Sequence, residues 1–588
     1  MKGRDQNKER SILLRMNELD IIGDVSAVTS VIFGLLALLI AVNQFSAMYF
    51  HVTYLLTLAF VSVHLVVSTV LGKNRLAVLT AVILMVCFGM LTTGTASVPY
   101  PIIASTDTGF ELQNVNRILS TGMVQWGQGT GYGADYSYFP GMEILVALVA
   151  LVSRIPQVAL LKYGGSFVCV IPVLFLYGFY SSVCSSGLVA KRQFCGLAAA
   201  LAALSPWFIA FDAGFVHQTV ALVFLGMVLL SWSEPRGGGW ILVALFGVAG
   251  IAITHAFTSY VLISLLLVLG ATAWMYGKST STGLPNLTNI GGTIAVVVVA
   301  VWSVFVAFNY LPEVTSYIAA ATDYLISPKL TLSPVTPSGS KPLWIVALTY
   351  VGFATYFFLA FGTFLRRMLR RNAQERTTVW LALPGFLFFG ALLAPYLAGL
   401  TDGVSLLGRG LIYLYFFTAP LVAQFLGRRL IGVVHEGLTF RFSRRTVLAV
   451  GLIFVILAPS VYYGVYIGYY DRSSPMVSKI DIRLSPGEWQ AVADLSRVRI
   501  SAHVVYGVRL AFDYVGAIGL KEVYIISVPV GGTLFEWVQQ HPNVLIFLRM
   551  SIVRTPDFGY VSENDLLSTL NHANVLYSSG DVVILENP

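Results

Sequence analysis

Residues Pro99–Pro140 read PYPIIASTDTGFELQNVNRILSTGMVQWGQGTGYGADYSYFP, the first long polar interruption in a chain that is otherwise almost continuously apolar. Asp107 stands at the head of a short helical pattern. Leu112, Val115, Ile118 and Leu119 form one apolar stripe, with Gln113, Asn116 and Arg117 opposite. Such a helix is expected to lie in the membrane interface and not to cross the bilayer. A glycine-rich passage follows, and the stretch closes on Tyr138-Phe139-Pro140 against another apolar run. The expectation is an active-site loop laid on a membrane scaffold.

The surrounding composition supplies that scaffold. Only 11% of the 588 residues are charged and 56% are hydrophobic, against about 25% charged in soluble domains. A multi-pass membrane protein is therefore predicted. The net charge of +8 comes from Lys and Arg clustered in short loops between apolar runs. This is the pattern of membrane orientation, not of nucleic-acid binding. No cleavable signal peptide is expected, because the first apolar run is long enough to span. Cys87, Cys169, Cys184 and Cys195 lie in or beside apolar runs without metal-ligand spacing and read as small core residues.

Three spans are predicted before the loop, near Ile21–Gln44, Tyr49–Leu71 and Arg75–Thr93, each close to the roughly 20 residues a bilayer needs. The basic tail and the Lys73–Arg75 turn then face the cytoplasm, which puts the Pro99–Pro140 loop outside. Gly141–Arg154 is short for a span and reads as peripheral. Ten further spans follow, near Val158–Val183, Phe194–Phe211, Phe215–Trp232, Trp240–Thr254, Phe257–Tyr276, Ile290–Leu311, Pro342–Leu365, Val379–Gly399, Arg409–Leu426 and Thr446–Ile467. Leaving out the C-terminal soluble domain, about 21 Lys and Arg lie inside and about 6 outside with Gly141–Arg154 peripheral; if it crossed, the balance would become about 12 to 15.

The predicted fold class is thus an α-helical multi-pass membrane protein of about 13 transmembrane helices, N-terminus in and C-terminus out. It divides into a cytoplasmic tail (1–20), a transmembrane domain (21–469) with an external loop at 94–157, and an external soluble domain (470–588). In the last part, β-rich runs at His503–Tyr506, Glu522–Ile526, Val544–Phe547, Asn574–Tyr577 and Val582–Leu585 alternate with helical patterns at Pro486–Ser496 and Glu563–Asn571. That alternation predicts a small α/β domain. Pro312–Pro342, with five prolines, reads as an external lid loop. Asn286-Leu287-Thr288 matches a glycosylation sequon but falls in a predicted cytoplasmic loop.

On the external side this topology collects Asp107, Glu111, Arg117, Tyr138, Arg154, Lys162, Asp212, His217, His255 and Arg409. Ionisable groups at membrane depth are costly and so are candidates for function. Each also has a plain structural reading. Asp107 and Asp212 fit helix caps, Arg409 fits a snorkelling span end, and His217 and His255 fit satisfied structural groups. Asp107 and Glu111, four apart on a helix, point the same way. A carboxylate there suits a general base, and arginine and histidine suit a leaving phosphate.

Thr106-Asp107-Thr108-Gly109-Phe110 with its following helix, the closure Tyr138-Phe139-Pro140-Gly141, the span ending Leu204-Ser205-Pro206, the acid and histidine at 212 and 217, and the C-terminal domain together resemble one family. It is the C-type superfamily of polyprenyl-phosphate-dependent glycosyltransferases, which includes protein mannosyltransferases, aminoarabinose transferases and oligosaccharyltransferase catalytic subunits. The match is good over Asp107–His255 and elsewhere is one of layout.

The resemblance implies Asp107 as catalytic base and a polyprenyl-phosphate sugar donor held by basic residues. It also implies a glycan, lipid or protein acceptor, on the outer face of a prokaryotic plasma membrane or in a lumen. Some members use a divalent metal such as Mg or Mn, for which Asp107, Glu111 and Asp212 are the candidate ligands. The chain departs from the pattern in two ways. Two extra spans precede the usual first one, and the C-terminal domain has no Trp-Trp-Asp motif, which argues against whole-glycan transfer to an asparagine sequon. The alternatives are a secondary transporter or flippase of a lipid-linked substrate, disfavoured by the lack of an internal repeat, and a non-catalytic membrane scaffold.

Overall fold

The computed structural model describes residues 2–42, 47–92, 106–124, 137–185, 194–206, 208–209, 217–233, 238–276, 290–308, 343–369, 382–390, 392–393, 403–435, 444–459, 504–507, 522–525, 534–540, 544–549, 563–578 and 582–587, with isolated positions between 315 and 326. Asp212, the glycine-rich passage, most of the Pro312–Pro342 loop, the sequon and the 486–496 helical pattern lie outside the described residues.

The chain forms α1 (Lys2–Val42), α2 (Ala47–Leu71), α3 (Asn74–Thr92), α4 (Thr106–Thr121), α5 (Gly141–Ser153), α6 (Gln157–Val168), α7 (Val170–Ser185) and α8 (Cys195–Ala203). Then come α9 (His217–Ser233), α10 (Gly238–Thr254), α11 (Ala256–Tyr276), α12 (Ile290–Val301) running into a π-helical turn (Trp302–Val306), α13 (Leu343–Met368), α14 (Gly403–His435) and α15 (Arg444–Leu457). Among the described residues, five stretches are long and apolar enough to cross a membrane: Asn17–Ala41, Met48–Leu71, Asn74–Leu91, Gln157–Ser182 and Arg409–Arg428. Shorter apolar helices accompany them.

These helices are apolar on both sides. On α1 the inward face is small and apolar (Ala27, Ala37, Ala41), while Val25, Val28, Ile32, Leu36 and Leu39 are exposed. A helix that is apolar all round suits lipid on one side and protein on the other. The chain is a multi-pass membrane protein. The predicted span Val158–Val183 is broken at Cys169, where α6 gives way to α7. The predicted tail is continuous with the first span, since the backbone is helical from Lys2.

Contacts sort the helix ends into two levels. At one, Lys73 pairs with Asp20 and, at 3.4 Å, with Asp24 of α1; the Gly196 N–H of α8 donates to Asn74 Oδ1 at 3.3 Å. Phe194 packs on Gly427 of α14 at the same level. At the other level lie α4, the first turn of α5, the first residue of α9, the α10–α11 junction and the Arg409–Tyr413 turn of α14. From Arg409 to Gly427, α14 rises about 27 Å, close to the roughly 30 Å of a hydrocarbon core. This helix is the central post: Leu411–Phe417 are all buried. Tyr356 of α13 stacks on its Tyr415 at 3.8 Å between ring centroids.

Five C-terminal strands, β1 (Val504–Gly507), β2 (Glu522–Ile525), β3 (Val544–Arg549), β4 (Asn574–Ser578) and β5 (Val582–Asn587), form one sheet in the order β2-β1-β3-β5-β4. β1 runs parallel to β2 and β3, and β5 runs antiparallel to β3 and β4. Ile546 and Leu548 face Leu585 and Val583 across the ladder, and all four are buried. Two short helices, α16 (Leu534–Gln539) and α17 (Glu563–His572), pack on each other, with Phe535 edge-on to His572.

Candidate active site

The α4 helix carries Glu111 and Asn114 three residues apart, one turn beyond Asp107 on the same face. Leu112 and Val115 are buried on its apolar stripe, as its periodicity requires. Glu111 is buried too, at 1% exposure. An uncompensated carboxylate there would cost several kcal/mol, and its partner comes from a different helix. His217, the first residue of α9, places Nδ1 3.3 Å from Glu111 Oε1 and Nε2 2.9 Å from Glu143 Oε2. Asn114 Nδ2 donates to Glu143 Oε1 at 3.3 Å.

The result is a carboxylate–imidazole–carboxylate chain joining α4, α5 and α9. An imidazole donates from both nitrogens only as the imidazolium, and both nitrogens here face carboxylate oxygens. Glu143 escaped the sequence reading, although a lone acid inside GMEILVALVALVS is a charge at membrane depth and carries the same signal as the others.

Two further contacts hold α4. Gln157 Nε2 of α6 donates to Asn116 Oδ1 at 2.7 Å. Arg117, half-buried, lines a small crevice with Asn114, Ser137 and Pro140. The loop closure packs nearby: Phe139 is buried against Ala256 and Ala307, with Tyr138, Tyr260 and Trp302 around them. Gly141 must be glycine for this, since a Cβ there would stand 2.2 Å from Thr254 Oγ1 and 3.1 Å from the Thr254 Cα.

His255 lies at the α10–α11 junction, beside this closure. Its Nδ1 accepts the Thr258 N–H at 3.2 Å and lies 2.8 Å from Thr258 Oγ1, which lies 2.7 Å from Tyr413 Oη of α14. His217 and Arg409 are both within electrostatic range of the His255 ring. Asp107 belongs to the first turn of α4.

Other candidates stand apart. Arg154 is exposed beyond the far end of α5, in a left-handed conformation (φ 58°), about 16 Å along the axis from Glu143. Lys162 is buried on α6, its Nζ 5.2 Å from the Tyr163 ring centroid. Among the described residues no three His, Cys, Asp or Glu side chains are placed to share a metal ion. Glu111, one of the candidate ligands, faces His217 instead. The Asp107 side chain and Asp212, the other two candidate ligands, lie outside the described residues.

No protein-family model matches the sequence, and no curated protein matches it. The chain is similar to solved structures of membrane-embedded sugar transferases. One is the oligosaccharyltransferase of Archaeoglobus fulgidus tethered to an acceptor peptide, with 12% identity over 87% of this chain and 74% of that one and a TM-score of 0.47. Another is ArnT, an aminoarabinose transferase, from Cupriavidus metallidurans bound to undecaprenyl phosphate, with 13% identity over 87% and 98% and a TM-score of 0.43. A third is the mycobacterial arabinofuranosyltransferase AftD, with 13% identity and a TM-score of 0.48; 87% of this chain aligns, spanning 39% of that longer one.

Proposed function

We propose that this protein is an inverting membrane glycosyltransferase. It takes a sugar from a polyprenyl-phosphate donor whose lipid tail stays in the bilayer, and passes it to an acceptor on the outer face of a prokaryotic plasma membrane. The observation that carries the reading is the convergence of four elements at one membrane level. These are the α4 helix that holds Asp107, the Glu111–His217–Glu143 chain, the His255 junction, and Arg409 within electrostatic range of it.

In this reading the Asp107 carboxylate takes the proton of the acceptor hydroxyl or amine as general base. The acceptor heteroatom bonds to the anomeric carbon from the face opposite the phosphate. The bond from that carbon to the phosphate oxygen breaks, and its electron pair leaves on the polyprenyl phosphate. Arg409 and His255 meet the negative charge that gathers on the phosphate. The buried chain keeps α4, and with it Asp107, at a fixed depth. The C-terminal sheet faces the same side and serves docking.

The test is transfer of labelled sugar from polyprenyl-phosphate sugars by membranes carrying the wild type, Asp107→Asn or Arg409→Ala. Asp107→Asn should lower transfer at least about 100-fold, the usual contribution of a positioned base, while Arg409→Ala should chiefly raise the KM for donor. Transfer undiminished in Asp107→Asn would sink the assignment.

A further inference from the structure

His255 is nine-tenths buried, and its hydrogen bonds decide which ring nitrogen carries the proton. The Thr258 backbone N–H can only donate, and it points at Nδ1. Nδ1 is therefore a lone-pair acceptor, and a neutral ring then bears its hydrogen on Nε2. The Thr258 hydroxyl, 2.8 Å from the same atom, donates to it as well. Its single hydrogen being spent there, the contact with Tyr413 at 2.7 Å runs from the Tyr413 O–H to Thr258 Oγ1. Thr258 and Tyr413 are fully buried, so no water competes for this chain. Among the described residues Nε2–H meets no hydrogen-bond acceptor.

We propose that the Tyr413–Thr258–His255 chain fixes His255 as a neutral imidazole that offers its Nε2–H to a phosphoryl oxygen of the lipid-phosphate donor, acting as a hydrogen-bond donor and never as a base or cation. This rests on the lipid-phosphate reading above and gives one of its residues a defined atom and role. The Thr258 backbone N–H selects the tautomer, and the Thr258 and Tyr413 hydroxyls position the ring. The arrangement suits an anion already met by Arg409: a neutral donor adds orientation without adding a second cation beside the guanidinium. His255 also caps α11, since its Nδ1 bonds the third N–H of that helix. A purely structural role must therefore be separated from binding.

Two substitutions do so. His255→Asn keeps a short acceptor for the Thr258 N–H, and asparagine is a favoured cap, but it cannot reach the position of Nε2. His255→Gln reaches that position with an amide N–H and loses the cap. Binding of undecaprenyl phosphate to the purified full-length protein in nanodiscs should weaken by on the order of tenfold or more in His255→Asn, as for loss of a hydrogen bond to a charged group. His255→Gln should stay within about threefold of wild type, well under that single-bond loss. Asn binding like wild type, or Gln binding as poorly as Asn, would overturn the proposal while leaving the lipid-phosphate reading in place. No binding by the wild type would overturn that reading and the proposal with it.

Nitrogen-15 NMR of histidine-labelled protein, with His255→Gln identifying the signal, reads the tautomer directly. Wild type should show protonated Nε2 and bare Nδ1, and so should Thr258→Val, which keeps the backbone N–H that meets Nδ1. A protonated Nδ1 in the wild type would also overturn the proposal.

Discussion

Glu143 is the third residue of a helix that is otherwise apolar up to its last residue, Ser153, and both its oxygens are engaged, one by Asn114 and one by His217. Removing it strips His217 and Asn114 of a buried partner at once. Glu143→Ala should destabilise by about 2–4 kcal/mol, since it removes the acceptors of His217 Nε2 and Asn114 Nδ2 at a buried site, where each donor left unmet costs about 1–3 kcal/mol. Glu143→Gln, which keeps the acceptor oxygen but not the charge, should cost about half of that. Thermal unfolding of the detergent-solubilised protein measures both, and an unchanged midpoint in Glu143→Ala would show that the chain does not hold the helices. Glu111 and His217 were legible as candidates because ionisable groups at membrane depth are costly. Their mutual contact was not, because residues 106 positions apart meet only through packing. Reading charge inside every apolar run, the short Gly141–Arg154 included, would have found Glu143.

Helix α4 behaves as its periodicity predicts on one side only. The Leu112 and Val115 stripe is buried, yet Glu111 is buried as well, so the polar edge faces α5 and α9 and not water. Amphipathic spacing locates a helix; it does not say which polar residues find protein partners. The seating of α5 depends on the close approach at Gly141. Gly141→Ala should cost about 1–3 kcal/mol through overlap with Thr254 Oγ1, with the Ile253 and Thr254 backbone tight behind it. In contrast Gly362→Ala, within α13 where an added Cβ meets nothing within 4 Å, should gain about 0.5–1 kcal/mol from helix propensity. Paired unfolding midpoints test the two signs together, and a Gly141→Ala midpoint at or above wild type would refute the packing account. α5 itself rises only about 20 Å, while the break at Cys169 has its mark in the sequence, Gly164-Gly165 before it and Pro172 after it, which a reading by apolar length passed over.

Across the whole molecule, the two levels of helix ends predict that Arg75 and Ser120, both exposed, stand on opposite sides of the membrane. In a Cys184→Ser background, where Cys87, Cys169 and Cys195 are buried thiols, an impermeant maleimide should label Ser120→Cys from outside intact cells and Arg75→Cys only after inversion of the membranes. Labelling of both from one side would refute the arrangement. What the sequence determined by itself was local. Apolar length set the spanning helices, short β-rich runs set the five strands, and the basic loops set an expected orientation, because hydropathy and backbone preference act within a few residues. Only the tertiary structure decided that α4, α5 and α9 share one buried charge chain and that Tyr413 reaches His255 through Thr258. Pairing of buried polar groups is a matter of which helices touch, and neither spacing nor composition records it.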